Sequence, residues 1–310
     1  MSPYIHFSES QKEQAASVDL EALLRSRGEK LITSGRDKRL ASDHSVTIRG
    51  NRWYDHATCE GGHAISFVQR FYRMGYQEAV LYLLGDTQGV RFPCAEVSPE
   101  EPPKPFELPT PNRDMRRVFA YLVKQRKIDR EVVARFAKAH LLFEDAKYHN
   151  AVFVGVDADG TPRHAHVRST LSHGPAFRIN IEGSDPKHCF HYSGQNGNLF
   201  VFEAPIDMLS YITLNQENWQ ENSYVSCCGT SSQPVLEMLK QMPQIQTVYL
   251  CMDNDTAGDI ASERIAKQLQ EQGYCAERIL PTNKDWNDDL TALCAEEEVN
   301  NTCLSMQGVS

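Results

Sequence analysis

Hydrophobic positions in the last third of the chain alternate between short apolar runs and longer amphipathic segments. The runs predict strands at 199–202, 223–227, 247–252 and 276–280, and the segments between them predict helices at 206–216, 233–241 and 257–272. Strands that alternate with helices of this length form a parallel sheet with right-handed crossovers. We therefore predict an α/β domain over residues 196–295, with a parallel sheet flanked by helices, and a polar tail over residues 296–310.

The first 92 residues predict a small α+β domain. Apolar residues at helical spacing indicate helices at 19–27, 64–73 and 76–84, and a strand pair is predicted at 45–54. The chain from 93 to 111 then contains seven prolines, a composition typical of extended, exposed chain. Residues 93–112 are therefore interpreted as a linker between this domain and the rest of the chain.

Residues 113–195 predict a second α+β domain with a basic start. Two short helices are expected at 115–139, and residues 151–169 alternate apolar and polar positions around a hairpin turn at Asp159-Gly160. Nine basic residues stand against three acidic ones at 113–138, although the whole chain has a net charge of −9. Such a segment either faces nucleic-acid phosphates or is a solvated surface. The candidate nucleic-acid contacts are Arg113, Arg116, Arg117, Lys124, Arg126 and Lys127.

Composition places the chain among soluble globular proteins of a reducing compartment. Of its 310 residues, 41% are hydrophobic and 24% are charged, and no apolar run approaches the roughly 18 residues that a membrane-spanning helix needs. The polar N-terminus shows no secretory signal. The nine cysteines are an odd number without the spacing of a disulfide framework, which favours reduced thiols. We expect a cytoplasmic location, no membrane partner and no disulfides.

Acidic side chains follow the predicted strands of the α/β domain. Glu203 comes directly after the first strand, Asp253 and Asp255 come after the third, and Asp285 follows the last. Ligands bind at the carboxyl ends of the strands in open α/β sheets, and carboxylates that converge there repel one another unless a hard cation neutralises them. Oxygen ligands are what Mg²⁺ prefers. Asp255 alone is equally well explained as a helix cap, but the four residues together indicate a Mg²⁺ site.

At these positions the sequence resembles the TOPRIM superfamily, in the primase-like subgroup of mobile elements that is related to the bacterial DnaG primases. The similar segments read FVFEAPIDMLS at 200–210, CGT at 228–230, DNDTAG at 253–258 and KDWNDD at 284–289. The resemblance implies a TOPRIM (Rossmann-like) domain in which Glu203, Asp253 and Asp255 are catalytic and hold Mg²⁺ or Mn²⁺ together with Asp285. It further implies that Lys284 and Asp207 contact phosphate or nucleotide.

The resemblance extends upstream. The zinc ribbon that opens a primase is similar to residues 53–68, and the domain of unknown function DUF3991, which commonly precedes this TOPRIM subgroup, is similar to residues 113–170. A primase zinc ribbon needs four soft ligands, normally three cysteines and one histidine. The candidates here are Cys59, His44, His56 and His63. Because they depart from the family's spacing, we expect a degenerate, metal-free ribbon, and a Cys/His₃ zinc site is the alternative.

Two further groups of histidines also suggest metal binding. They are His164-x-His166 and His188-Cys189-x-His191. Alternating residues of a strand lie on one face whatever their role, so these histidines are interpreted as structural. Zinc is not expected as a cofactor.

The resemblance implies a primase-like protein of a plasmid or integrative element, which carries out Mg²⁺-dependent nucleotidyl transfer on a single-stranded DNA template. Its partners would be single-stranded DNA, nucleoside triphosphates and a replicative helicase or relaxase. Two alternatives stay open. One is a TOPRIM nuclease that uses the same carboxylates, with Glu203 as a general base, and the other is a non-catalytic, DNA-binding accessory protein for replication or mobilisation.

Overall fold

The chain divides into two compact units, Met1–Pro102 and Pro103–Ser310. The computed structural model describes residues 5–34, 37–43, 45–55, 58, 60–85, 92–95, 105–171 and 177–307. Within these ranges, no helix combines the length and the apolar character that crossing a membrane requires.

The first unit packs four helices against an antiparallel sheet. The helices are α1 (Glu9–Ala16), α2 (Leu20–Ser26), α3 (Ala64–Phe71) and α4 (Tyr76–Leu84). The five strands follow one another in chain order across the sheet: β1 (Leu31–Ser34), β2 (Asp37–Leu40), β3 (Val46–Arg49), β4 (Arg52–Asp55) and β5 (Glu60–His63). Leu20, Leu23 and Leu24 are buried on one face of α2 and join Phe67 and Val68 of α3 in the core. The predicted α+β character of this region is confirmed.

Only one of the four candidate zinc ligands of this unit lies among the described residues. His63 precedes α3 and is exposed, and its Nδ1 lies 3.4 Å from Nδ2 of Asn51. His44, His56 and Cys59 lie outside the described residues. The expectation of a metal-free ribbon therefore stays a prediction.

Both ends of the proline-rich segment are hydrogen-bonded to neighbouring structure. Asp19 N donates to Pro93 O (2.9 Å), and Asn112 N donates to Glu144 O (2.7 Å). The division between the two units falls inside the segment predicted as a linker, residues 93–112.

The second unit begins with an antiparallel sheet and two short helices. Helix α5 (Arg116–Phe119) continues as a π-helical turn (Ala120–Gln125) and is followed by α6 (Arg130–Lys138). The sheet consists of β6 (Leu142–Glu144), β7 (Ala151–Val156), β8 (Pro162–Arg168) and β9 (Arg178–Asn180), paired in chain order. The predicted turn between β7 and β8 has Gly160 at a φ of +79°, a conformation that glycine adopts without strain.

The rest of the second unit is an α/β layer with a mostly parallel sheet. The strands are β10 (His191–Tyr192), β11 (Asn198–Phe202), β12 (Ser223–Ser226), β13 (Thr247–Leu250) and β14 (Cys275–Arg278), in the order β10-β12-β11-β13-β14. β10 is antiparallel to β12, and the other pairs are parallel. The helices are α7 (Pro205–Leu214), α8 (Gln233–Gln241), α9 (Thr256–Glu271) and α10 (Trp286–Gln307). The predicted parallel sheet flanked by helices is confirmed.

One predicted segment of this layer is wrong. The sequence predicts a polar tail at 296–310, but α10 continues to Gln307. An ion pair between Lys127 Nζ and Glu298 Oε1 (2.9 Å) connects the helix to the preceding part of the unit. Polar composition therefore does not end this helix.

A single hydrophobic core joins the two sheets of the second unit. Phe136 of α6 and Phe153 of β7 belong to the same buried cluster as Phe202 and Trp286 of the α/β layer. The ring centroid of Phe190, which lies just before β10, is 5.0 Å from that of Phe136 and 5.2 Å from that of Phe153, so this residue of the α/β layer packs on α6 and β7. A second cluster fills the space between the parallel sheet and helices α8 and α9.

Candidate functional site

The acidic residues predicted from the strand ends meet at one edge of the parallel sheet. Glu203 directly follows β11, and Asp253 follows β13 after two buried residues. β11 and β13 are parallel neighbours, with Val201 paired to Leu250, so their carboxyl ends lie side by side. The structure therefore places both residues where open α/β sheets bind ligands.

Two carboxylate oxygens at this edge are buried without a hydrogen-bond partner. They are Oε1 of Glu203 and Oδ1 of Asp253. A buried acceptor that no donor satisfies costs roughly 1–3 kcal/mol, and more when it is charged, so such atoms are uncommon away from functional sites. Their arrangement suits a cation, which would satisfy both.

Both carboxyl groups resist ionisation. Burial, followed by the nearby Asp253 and Asp255 carboxylates, raises the pKa of Glu203 to about 7. Burial, followed by Asp285 and Asp255, raises the pKa of Asp253 to about 6. These shifts show that four carboxyl groups are close enough to repel one another, which is the electrostatic condition that a divalent cation relieves.

Asp255 is a helix cap as well as a member of this group. Its Oδ1 accepts hydrogen bonds from the backbone N–H groups of Ala257 (3.0 Å) and Gly258 (3.0 Å) at the start of α9. The cap fixes the side chain, and only one of its two oxygens takes part. The two interpretations of Asp255 from the sequence, as a helix cap and as a Mg²⁺ ligand, are therefore compatible.

Gly258 is required by the close approach of α9 to the acidic group. A Cβ atom at this position would lie 2.1 Å from the carbonyl oxygen of Asp253 and 3.1 Å from Oε1 of Glu203. The first of these distances is impossible for a real side chain, since backbone and not a flexible side-chain tip is in the way. The glycine of the DNDTAG segment thus lets the helix start against the two carboxylates.

Asp207 differs from its predicted role as a direct nucleotide contact. It lies in the first turn of α7 and is only 6% exposed. Burial, followed by Asp285 and Asp253, raises its pKa well above the ordinary range. A carboxyl group buried to this extent is not placed to contact a nucleotide directly.

The KDWNDD segment brings a positive charge and a structural anchor to the same edge. Lys284 is exposed and lowers the pKa of Asp253, although burial and the other carboxylates outweigh it. Asp285 is the strongest charged neighbour of both Asp207 and Asp253. Asn287 is buried and donates to Ser210 Oγ (2.9 Å) and to Arg126 O (2.8 Å), which fixes the start of α10 against α7.

Two arginines that the sequence analysis did not single out also face this edge. Arg178 on β9 is exposed and partly offsets the raised pKa values of Glu203 and Asp253, so its charge lies near both. Arg278 at the end of β14 donates from Nη2 to Asp253 O (2.8 Å) and to Asp259 Oδ1 (3.2 Å). Arg278 lies inside the strand predicted at 276–280, which was a usable signal, whereas nothing in the sequence around Arg178 connects it to the α/β layer.

The basic segment divides into exposed and engaged side chains. Arg126 donates from Nε to Tyr121 Oη (3.0 Å) and from Nη1 to Asn287 Oδ1 (3.0 Å), and Lys127 is paired with Glu298. The exposed candidates for nucleic-acid contact are Arg113, Arg116, Arg117 and Lys124.

A surface groove runs along α5 and the π-helical turn. Its volume is about 440 Å³, and its lining combines apolar and basic side chains: Met115, Arg116, Phe119, Ala120, Val123, Lys124 and Arg130. The guanidinium carbon of Arg130 lies 5.8 Å from the centroid of the Phe119 ring. Basic residues interleaved with an aromatic ring suit a nucleic-acid strand, because cations contact its phosphates while bases stack on the ring.

Comparisons with known proteins identify two segments of the chain. Residues 200–290 match the family described as Toprim-like, and residues 120–196 match the family described as protein of unknown function DUF3991. An uncharacterized protein of Bacillus anthracis is 26% identical over 320 residues, which covers 94% of this chain and 92% of that protein. An uncharacterized protein of Mycoplasma genitalium is 28% identical over 96 residues, which covers 30% of this chain and 42% of that protein.

Solved structures of primases are also similar to this chain. The primase fragment of the bacteriophage T7 primase-helicase protein is 15% identical with a TM-score of 0.43, over 80% of this chain and 89% of that one. The Aquifex aeolicus primase, comprising its zinc-binding and RNA polymerase domains, is 17% identical with a TM-score of 0.39, over 95% of this chain and 85% of that one. Together with the geometry above, the two family matches establish that the chain carries a DUF3991 domain followed by a Toprim-like domain, and the resemblance predicted from its motifs is confirmed for these segments.

Proposed function

We propose that the chain is a primase-like nucleotidyltransferase that acts on a single-stranded DNA template with Mg²⁺ or Mn²⁺ as its cofactor. The observation that carries this proposal is the pair of buried, unbonded oxygens of Glu203 and Asp253 at the ends of neighbouring parallel strands. The Toprim-like family match over residues 200–290 supports it.

The residues at the sheet edge fit a hard divalent cation. Glu203, Asp253 and Asp255 would hold it, with Asp285 as a fourth carboxylate. Carboxylate oxygens are the ligand type that Mg²⁺ prefers, and this ion also keeps several of its waters as ligands. When bound, the cation would neutralise the carboxylates and stabilise the negative charge that develops on phosphate oxygens during transfer.

The basic side chains around the carboxylates would bind the nucleotide. Lys284 and Arg178 are exposed and carry the charge needed to contact a triphosphate. Arg278 holds the Asp253 backbone in place from the opposite side.

The groove along α5 and the π-helical turn would bind the template strand. Arg116 and Lys124 would contact phosphates, and the Phe119 ring would stack on a base. A replicative helicase or relaxase of the same mobile element is the proposed protein partner.

One observation favours nuclease activity as a second candidate. A pKa of about 7 leaves the Glu203 carboxyl group partly ionised near neutral pH, which suits a general base that activates water. The proposed ligands are the same for both activities, so the products of the reaction must distinguish them.

The test is a de novo synthesis assay on single-stranded DNA with labelled nucleoside triphosphates and Mg²⁺. Wild type is compared with a double variant, Asp253→Asn plus Asp255→Asn, and with Asp159→Asn, which removes an exposed carboxylate from the β7–β8 turn. Wild type and Asp159→Asn should make metal-dependent oligonucleotides, and the double variant should make about 100-fold less or none, since it loses charge stabilisation of the transition state.

Other outcomes would replace this proposal. Shortened template in the wild-type reaction, absent with the double variant, would assign nuclease activity. Template that stays intact and bound, without any product, would assign a non-catalytic DNA-binding role.

A further inference from the structure

A second group of chemically reactive side chains lies within the second unit, apart from the acidic group. One ligand atom each of His164, Cys189 and Cys228 lies within 4.8 Å of the other two, and no other set of three histidine, cysteine or acidic residues meets this criterion in the described part of the chain. In a tetrahedral zinc site the ligand atoms are separated by about 3.3–3.8 Å, as bond lengths of about 2.0–2.3 Å require. A small contraction would bring the three atoms to that geometry.

The fold assembles this group from three separate segments. His164 on β8 is paired with Gly155 on β7, so both face the same side of the sheet. A Cβ atom at Gly155 would lie 1.7 Å from the carbonyl oxygen of His188, so the absence of a side chain is what lets the backbone before Cys189 lie against the sheet. The same approach brings Cys189 beside His164.

Cys228 reaches the group from the α/β layer. Ser226 N donates to Phe190 O (2.9 Å), which extends the pairing of β10 with β12 toward Cys189 and the residues after β12. Cys228 has a φ of +50°, a left-handed conformation that side chains other than glycine, asparagine and aspartate seldom adopt. This backbone conformation turns the chain so that the Cys228 thiol lies beside Cys189.

His166 is the candidate for a fourth ligand, beside the three residues that meet the 4.8 Å criterion, and one hydrogen bond already fixes its ring. It lies two residues from His164 on the same face of β8, and its Nδ1 is 2.7 Å from Oδ1 of Asn180. If Nδ1–H donates to Asn180, the other ring nitrogen, Nε2, has its lone pair directed away from that bond. Histidine ligands of metal ions are held in this way by a hydrogen bond from the opposite nitrogen.

The chemical state of these residues agrees with metal binding. His164 is 1% exposed, and its Nδ1 is buried without a hydrogen-bond partner. The Cys189 thiol donates to Pro186 O (3.3 Å) and to Cys227 O (3.5 Å), contacts that ligation would replace.

We propose that His164, His166, Cys189 and Cys228 bind one Zn²⁺ ion in a buried, tetrahedral, structural site. Two thiolates and two imidazoles form a closed ligand set of the kind that structural zinc sites use, with no position left for a reacting water. The sequence analysis interpreted these histidines as structural, because sequence alone does not show that Cys189 and Cys228 meet them.

The zinc site would stabilise the loop that supports Glu203. Gly229, the residue after Cys228, donates its N–H to Glu203 O (3.0 Å). The ion would therefore fix the connection between the sheet that contains β9 and the edge that carries the acidic group. Its presence does not depend on the proposed nucleotidyl transfer.

The test measures zinc in the full-length protein. Wild type is expressed in zinc-supplemented medium, purified with a reductant and dialysed against a mild chelator. Its zinc content is then measured by inductively coupled plasma mass spectrometry. We expect about one zinc ion per chain, and at least about a fivefold loss in Cys189→Ala and Cys228→Ala. The matched control is Cys251→Ala, which removes a fully buried cysteine outside the group and should leave the zinc content unchanged.

A second measurement covers the case in which the variants do not fold. Replacement of the metal in the wild-type protein by Co²⁺ should give thiolate-to-cobalt charge-transfer absorption and the visible bands of a tetrahedral ion. Wild type that retains no zinc and shows no cobalt spectrum would overturn the proposal. So would a disulfide-linked peptide pair containing Cys189 and Cys228 in place of the metal. Neither readout involves DNA or nucleotides, so failure of this proposal is separate from failure of the proposed function.

Discussion

The carboxyl groups of Glu203 and Asp253 are held in surroundings that disfavour their charged forms. Their pKa values are raised to about 7 and about 6, with burial as the largest cause in both. Their position at the strand ends was predictable, because a strand that ends in a carboxylate is visible in the sequence. Burial and mutual repulsion were not, because they depend on Gly258 and α9 closing over the two side chains.

These raised values predict how stability depends on pH in the absence of divalent cations. Between the unfolded and folded pKa values, the folded state binds more protons than the unfolded state, so stability falls as pH rises. In buffer with a chelator, the contribution of Glu203 and Asp253 to the free energy of unfolding should therefore be most favourable below about pH 4. It should fall as the pH rises toward about 7. Denaturant unfolding at a series of pH values measures this.

A neutral replacement of Glu203 tests whether its carboxyl group causes this pH dependence of stability. Glu203→Gln cannot ionise, so its free energy of unfolding should fall less over the same range, whereas Asp159→Asn should follow the wild type. Equal slopes for wild type and Glu203→Gln would show that the Glu203 carboxyl group is not perturbed as described.

At the scale of elements, the helices and strands of the α/β layer were predictable from periodicity, but their partners were not. Arg178 shows the limit: β9 is three residues long, and its approach to Glu203 depends on how two sheets pack. His164 and Cys228 show the same limit. They are separated by 63 residues, and no pattern in the sequence between them predicts that they lie close together. The polar tail predicted at 296–310 was wrong, because α10 continues through these polar residues to Gln307.

The groove along α5 and the π-helical turn carries a prediction of its own. A double variant, Arg116→Ala plus Lys124→Ala, should bind single-stranded DNA more weakly. A plot of log affinity against log salt concentration should also be less steep, by about 0.7 in slope for each phosphate that is no longer neutralised. Fluorescence anisotropy titrations at several salt concentrations measure both quantities. Lys240→Ala on α8, which also removes an exposed lysine, is the control. Unchanged affinity and slope in the double variant would place the DNA elsewhere.

At the scale of the whole molecule, the DUF3991 and Toprim-like segments share one core. Phe136 and Phe153 are buried with Phe202 and Trp286, so neither segment completes this shared cluster alone. Residues 103–310 should therefore unfold in one cooperative transition as an isolated fragment, while residues 197–310 should show none. Thermal melts followed by near-ultraviolet circular dichroism measure this, and a sharp melt of the shorter fragment would contradict it.

The shared core also bears on how such chains are inherited. The two family matches meet between residues 196 and 200, at a boundary of sequence similarity that crosses a continuous cluster of aromatic side chains. A recombination event at that point would join two halves whose buried surfaces were not selected together. The pair is therefore expected to be exchanged between proteins as one unit, with the proline-rich segment at 93–112 as the natural crossover.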